Sequence, residues 1–147
     1  GGYLSLRAFL WDTGTMTHLS DSSLAHSINE KGQVVGFLRT NGMNHHAVLW
    51  DNGTILDLGT LGGSRSEAYD INDAGKVVGD AYTSNEASHA FIWKDGKMFD
   101  LNNLLPPNSG WTLTSAKAIN NNGQIVGSGV FNSQSRAFLL TPVTVTQ

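Results

Sequence analysis

Arginine and histidine alternate at one recurring place in this 147-residue chain. Arg7, His46, His89 and Arg136 each stand directly before an alanine that opens an apolar run. Four such groups around a common groove would make a ring of cations and imidazoles facing a ligand. Free exchange of guanidinium for imidazole better suits a side chain that donates a hydrogen bond to a neighbouring strand or loop, because both types donate. A metal site built on His45, His46 and His89 is not expected, since adjacent residues in a strand point to opposite faces and no Asp or Glu recurs beside them. The Asn-x-x-Gly turns at Asn29, Asn72 and Asn120 lack the alternating acids of a calcium loop. Asp95 and Asp100 flank one hairpin, and Glu86 is the loop acid that stands out. No nucleophile elbow, phosphate loop or dinucleotide fingerprint is present. The expectation is a protein with no catalytic residues, no metal and no cofactor.

The elements that position these groups follow from an internal repeat. One unit reads Ala68-Tyr69-Asp70-Ile71-Asn72-Asp73-Ala74-Gly75-Lys76-Val77-Val78-Gly79 and then His89-Ala90-Phe91-Ile92-Trp93-Lys94-Asp95-Gly96. Copies lie before and after it, with Gly32, Gly75 and Gly123 closing equivalent turns and Trp11, Trp50 and Trp93 at equivalent places in the Ala-Phe-x-Trp run. The period of about 39 to 48 residues falls in the range of four-stranded propeller blades. It divides a single domain, 1–147, into a partial unit 1–23 and units 24–63, 64–113 and 114–147.

Each unit is expected to contain four short strands, a to d. Strands a and b are joined by Asn-x-x-Gly, while c and d are joined by Asp-Thr-Gly, Asn-Gly or Asp-Gly, where glycine accepts a positive φ. Strand c carries bulky side chains on both faces, as in a sheet sandwiched between two others. The expected fold is all-β: repeated four-stranded antiparallel units forming about three propeller-like blades, in an open arc or closed by oligomerisation. The alternative is a β-trefoil, which has the same strand count.

Formal charge is −3, and only 14% of residues are charged, with no basic stripe, so nucleic acid is not an expected partner. No apolar run approaches the length of a membrane span, and no signal peptide opens the chain. Cysteine is absent, which removes thiolate chemistry and disulfides. Outside the repeat, Trp111, which follows Pro106-Pro107 in the longest loop, and Tyr82 offer rings that could stack on a sugar or dock a protein. Asn44, Asn85 and Asn132, all between strands b and c, are the amide groups nearest to a repeated ligand site.

The runs His89-Ala90-Phe91-Ile92-Trp93, Trp50-Asp51-Asn52-Gly53, Asp57-Leu58-Gly59-Thr60-Leu61-Gly62-Gly63 and Ile71-Asn72-Asp73-Ala74-Gly75-Lys76-Val77-Val78-Gly79 resemble the HAF-type bacterial extracellular repeat family, named for His-Ala-Phe. That resemblance covers nearly the whole chain. It implies an extracellular or cell-surface repeat protein of bacterial origin with no family-wide catalytic residues. The functional expectation is a non-enzymatic module acting in binding, adhesion or extracellular assembly. A lectin-like carbohydrate-binding domain and a polysaccharide-cleaving enzyme are the alternatives. Expected partners are the chain itself or flanking repeats, together with a glycan or a surface protein.

Overall fold

A computed structural model describes residues 6–143. Its thirteen strands are β1 (Arg7–Asp12), β2 (Thr15–Asp21), β3 (Ser23–Ile28), β4 (Val34–Arg39), β5 (His45–Asp51), β6 (Thr54–Gly59), β7 (Gly62–Ile71), β8 (Val77–Thr83), β9 (Ser88–Lys94), β10 (Lys97–Asp100), β11 (Trp111–Ile119), β12 (Ile125–Phe131) and β13 (Gln134–Leu140). One 3-10 turn, Leu101–Leu104, follows β10. The strands form four antiparallel sheets in chain order: β1–β2, then the four-stranded meanders β3–β6 and β7–β10, then β11–β13. All-β architecture and four-stranded units are thus as the repeat implies. Among the described residues no sheet closes into a barrel, as the alternative β-trefoil would require, and the four sheets do not close into a propeller ring.

The turns explain why each hairpin forms. Gly32, Gly75 and Gly123 take φ values of 77°, 80° and 78°, and each donates its N–H to the carbonyl of Asn29, Asn72 or Asn120 at 3.0 Å. Each asparagine Oδ1 braces the same turn by accepting from the backbone of Gln33, Lys76 or Gln124. Between strands c and d, Thr13-Gly14, Asn52-Gly53 and Asp95-Gly96 all have positive φ at both residues, the left-handed pair that matches the twist of a two-residue hairpin.

Adjacent sheets pack face to face through three apolar clusters. Ala8 meets Val34, Val48 and Trp50 between the first and second sheets. Val35, Ala47, Leu49 and Leu58 meet Ala68, Ile71, Val77, Ala81 and Phe91 between the second and third. Val78, Ala90 and Ile92 meet Leu113, Ala116, Ile119, Ile125 and Phe138 between the third and fourth. Strand c is therefore buried on both faces in the interior sheets, whereas β1 and β13 are buried on one face only.

Polar ties hold the same boundaries in register. Asn29 Nδ2 donates to the Asn72 carbonyl at 3.0 Å, and Asn72 Nδ2 donates to the Asn120 carbonyl at 3.1 Å. The Ala8 and Ala47 N–H groups donate to the hydroxyls of Ser23 and Ser66 on the following sheet.

Strands a and b approach unusually closely at one glycine per unit. A Cβ at Gly36, Gly79 or Gly127 would overlap the carbonyl oxygen of Leu24, Glu67 or Ser115. Beside each glycine the pairing slips by one residue, between Ala25 and Ser27, Ala68 and Asp70, and Ala116 and Ala118. Each slip is a β-bulge that turns out one residue: His26, Tyr69 or Lys117. Gly79→Ala should lower unfolding free energy by roughly 3 kcal/mol. Gly96→Ala, whose Cβ would meet open space, should cost only the left-handed backbone penalty, about 1–2 kcal/mol. Urea denaturation of the two variants measures the contrast, and equal losses would contradict the close approach.

Candidate functional site

The recurring cation position forms a clamp within each sheet. Arg7 Nε lies 3.1 Å from Asp21, His46 Nδ1 2.9 Å from Asp57, and His89 Nδ1 2.7 Å from Asp100. Each pair joins strand c to strand d of its own sheet. Asp100 Oδ1 also accepts from the Asn102 N–H at 2.9 Å and so starts the 3-10 turn. Arg136, on the three-stranded sheet, reaches Gln134 and the Ser135 carbonyl among the described residues. Of the three tryptophans at the equivalent strand c position, Trp50 is buried and its indole N–H donates to Ser20 Oγ at 3.2 Å, Trp93 is half-buried, and Trp11 is exposed.

The expected ligand residues are spread over separate parts of the stack. Trp111 is half-buried, with its ring 5.1 Å from Phe131 and against the third apolar boundary. Tyr82 is half-buried, with the Arg65 guanidinium 6.0 Å from its ring centre. Asn44, Asn85 and Asn132 lie between strands b and c of three different sheets; Asn44 is half-buried, and the other two are exposed. No hydrogen bond or ring contact joins these amides to one another or Trp111 to Tyr82.

A denser polar group lies along the bulges. The His26 and Tyr69 ring centres are 5.3 Å apart, and Lys117 Nζ sits 3.9 Å from the Tyr69 ring centre. These three side chains form a column across three sheets, because the bulge that turns each one out recurs in register. Glu67 binds one side of the column: His26 Nε2 is 2.6 Å from Oε1, and His45 Nε2 is 3.6 Å from Oε2. The Phe37 ring lies 4.6 Å from that of His45. On the other side, Ser115 Oγ donates to Asp80 Oδ2 at 3.0 Å.

Electrostatics here are tense. Burial first, then the nearby charges of Asp80 and Glu67, push the Tyr69 hydroxyl far above the ordinary tyrosine range. Burial also raises Asp80, against the opposing pull of the Ser115 hydrogen bond and the Lys117 charge. A cavity of about 220 Å³ opens at one end of the column, lined by Phe37, Arg39, Met43, His45 and Glu67. Among the described residues no three His, Asp or Glu side chains are arranged to hold a metal.

The acids of this group do not recur. Leu24 and Ser115 stand where the middle unit has Glu67, and Phe37 and Ser128 stand where it has Asp80. Inspecting the loops for a singular acid leads instead to Glu86, an exposed residue that accepts from Ser64 Oγ at 2.6 Å. Comparing the single residue that follows the Ala25, Ala68 and Ala116 positions of the three units, rather than the loops, would have singled out His26, Tyr69 and Lys117.

A family model described as a protein of unknown function (DUF3466) matches residues 59–138. No curated protein and no solved structure matches the chain. This family match overturns the expected kinship with HAF-type repeats, which nothing in the comparisons indicates. The physical reason is that Asn-x-x-Gly, Asp-Gly and a doubly apolar strand c are what hairpins of this geometry require, so such motifs report turns and packing before they report descent.

The two raised groups set a pH dependence. A native Tyr69 that keeps its proton where the unfolded chain loses it stabilises the fold below about pH 10, and that contribution is lost as pH rises beyond it. Tyr69→Phe should therefore flatten the alkaline fall in unfolding free energy. Asp80, also raised, makes stability fall as pH climbs from the ordinary aspartate value near 3.9 through its own higher one. Asp80→Asn should remove that fall. Denaturant titrations across pH read both slopes, and unchanged slopes would contradict the environments described.

Proposed function

Because the chain belongs to the DUF3466 family of proteins of unknown function, its role has to be read from its own geometry, and we propose that it is a non-enzymatic module of blade-like β-repeats that works by binding at a cell surface or outside the cell. The observation that carries this reading is the bulge column, where the repeat scaffold presents His26, His45, Glu67, Tyr69, Asp80 and Lys117 although its own architecture does not require those residue types. Catalysis is not favoured, because the carboxylates are already engaged: Glu67 by two imidazoles and Asp80 by Ser115.

The cavity beside the column supports a lectin-like reading of the ligand class. Phe37 offers a ring face, Glu67 the acceptor lone pairs that its two imidazoles leave over, and Arg39 a donor, which is a combination suited to a saccharide. On an array of neutral and acidic oligosaccharides, the wild-type protein is expected to bind a subset without cleaving it. Phe37→Ala and Glu67→Gln should each weaken that binding by more than about tenfold, and Glu86→Gln should leave it unchanged. Absence of binding, or binding indifferent to both column variants, would defeat the reading.

A further inference from the structure

Each interior boundary of the stack is built from the same two surfaces. The side that faces later sheets is small and aliphatic: Val35, Ala47 and Leu49 in the second sheet, and Val78, Ala90 and Ile92 in the third. The side that faces earlier sheets is bulkier: Val48 and Trp50, then Phe91 and Trp93, then Phe138 and Leu140.

At the two ends of the stack these surfaces are bare. In the fourth sheet Ala137 is exposed, Val126 is 44% exposed and Leu139 61%, although their counterparts Val35 and Leu49 are 0% and 6% exposed. In the first sheet Phe9 is 60% exposed and Trp11 61%, although Trp50 is 4% exposed. Met16 pairs with Trp11 across β1 and β2 as Met98 pairs with Trp93 across β9 and β10, but only the interior pair is packed against a preceding sheet. Among the described residues the asparagine ladder also stops at the fourth sheet: Asn29 and Asn72 donate to the carbonyl of the following turn, while Asn120 Nδ2 reaches Gln124 Oε1 within its own turn.

We propose that a second copy of this chain covers these ends, with the Phe9–Trp11 face of one copy seated on the Val126–Ala137–Leu139 face of the next. The inference rests on the reading of the chain as a stack of repeat sheets. It is independent of any saccharide. A second copy is the occupant because the two bare faces correspond to the two opposite sides of a boundary that the molecule already forms internally. Pairing like with like would set one side of the boundary against itself, whereas every interior boundary joins the later-facing side of one sheet to the earlier-facing side of the next. The contact is therefore heterologous, and it propagates into an open chain or closes into a ring according to the rotation at each junction.

Sedimentation velocity over a concentration series tests this. The wild-type mass should rise with concentration. Leu139→Asp and Trp11→Asp should each weaken self-association by more than about tenfold. An equimolar mixture of the two variants should give a one-to-one heterodimer and nothing larger, because it retains one intact aromatic end and one intact aliphatic end. Wild-type protein that stays monomeric, a single variant that still dimerises alone, or a mixture without heterodimer would each overturn the proposal. Val126→Asp and Phe9→Asp replace either variant that fails to fold by circular dichroism. Glu67→Gln should leave association unchanged, and monomeric Leu139→Asp should keep oligosaccharide binding, so failure of the stacking and failure of the binding reading are seen separately.

Discussion

The structure depends on a backbone-to-backbone approach that only glycine permits. At Gly36, Gly79 and Gly127, strand b comes so near the carbonyl of Leu24, Glu67 or Ser115 that a Cβ has no room, and strand a relieves the mismatch with a bulge at the neighbouring residue. Two consequences follow from one geometric fact. Strand a stays close enough to the next sheet for Asn29 and Asn72 to satisfy carbonyls beyond their own hairpins, and the bulged residue leaves the strand alternation to face a common line. The device that aligns the sheets is thus also the device that assembles the polar column.

Recurrence separates architecture from chemistry in such a chain. The Arg7–Asp21, His46–Asp57 and His89–Asp100 pairs repeat with their sheets and tolerate exchange of guanidinium for imidazole, which is the behaviour of a cross-strand clamp. Glu67 and Asp80 have no counterparts in the adjoining units. They place a carboxylate on either side of the half-buried Tyr69, where limited solvent makes each neighbouring charge matter more. Lys117 lies over the ring of that tyrosine, and the two imidazoles meet the Glu67 carboxylate. A repeat scaffold can accommodate the group because one strand position per unit is released from packing.

Stacking also explains how identical patterns acquire opposite burial. Leu49, Ile92 and Leu139 occupy the same place in strand c, yet two are covered and one is open, because each sheet buries its outward face only against a following sheet. Repeat units cannot complete this burial by themselves, and their end faces need a polar cap or a partner. Here both ends retain the apolar residues of an interior boundary.

The sequence alone determined the hairpins, because turn chemistry is local: Asn-x-x-Gly and Asp-Gly specify left-handed glycines whatever surrounds them, and alternation within a run sets which residues share a face. It also identified the repeat and the clamp position at His46 and His89. Only the tertiary structure decided that Glu67 belongs with His26 and His45, and Asp80 with Ser115, since those partners come from neighbouring sheets and from strands whose parity the bulge has shifted. It likewise decided that Trp111 packs on Phe131 in a half-buried position, and that Trp11 and Leu139 are bare while their counterparts are covered. Period-two reasoning predicts faces within a strand, but the bulge breaks that period and burial is conferred by the adjoining sheet, which the local sequence does not contain.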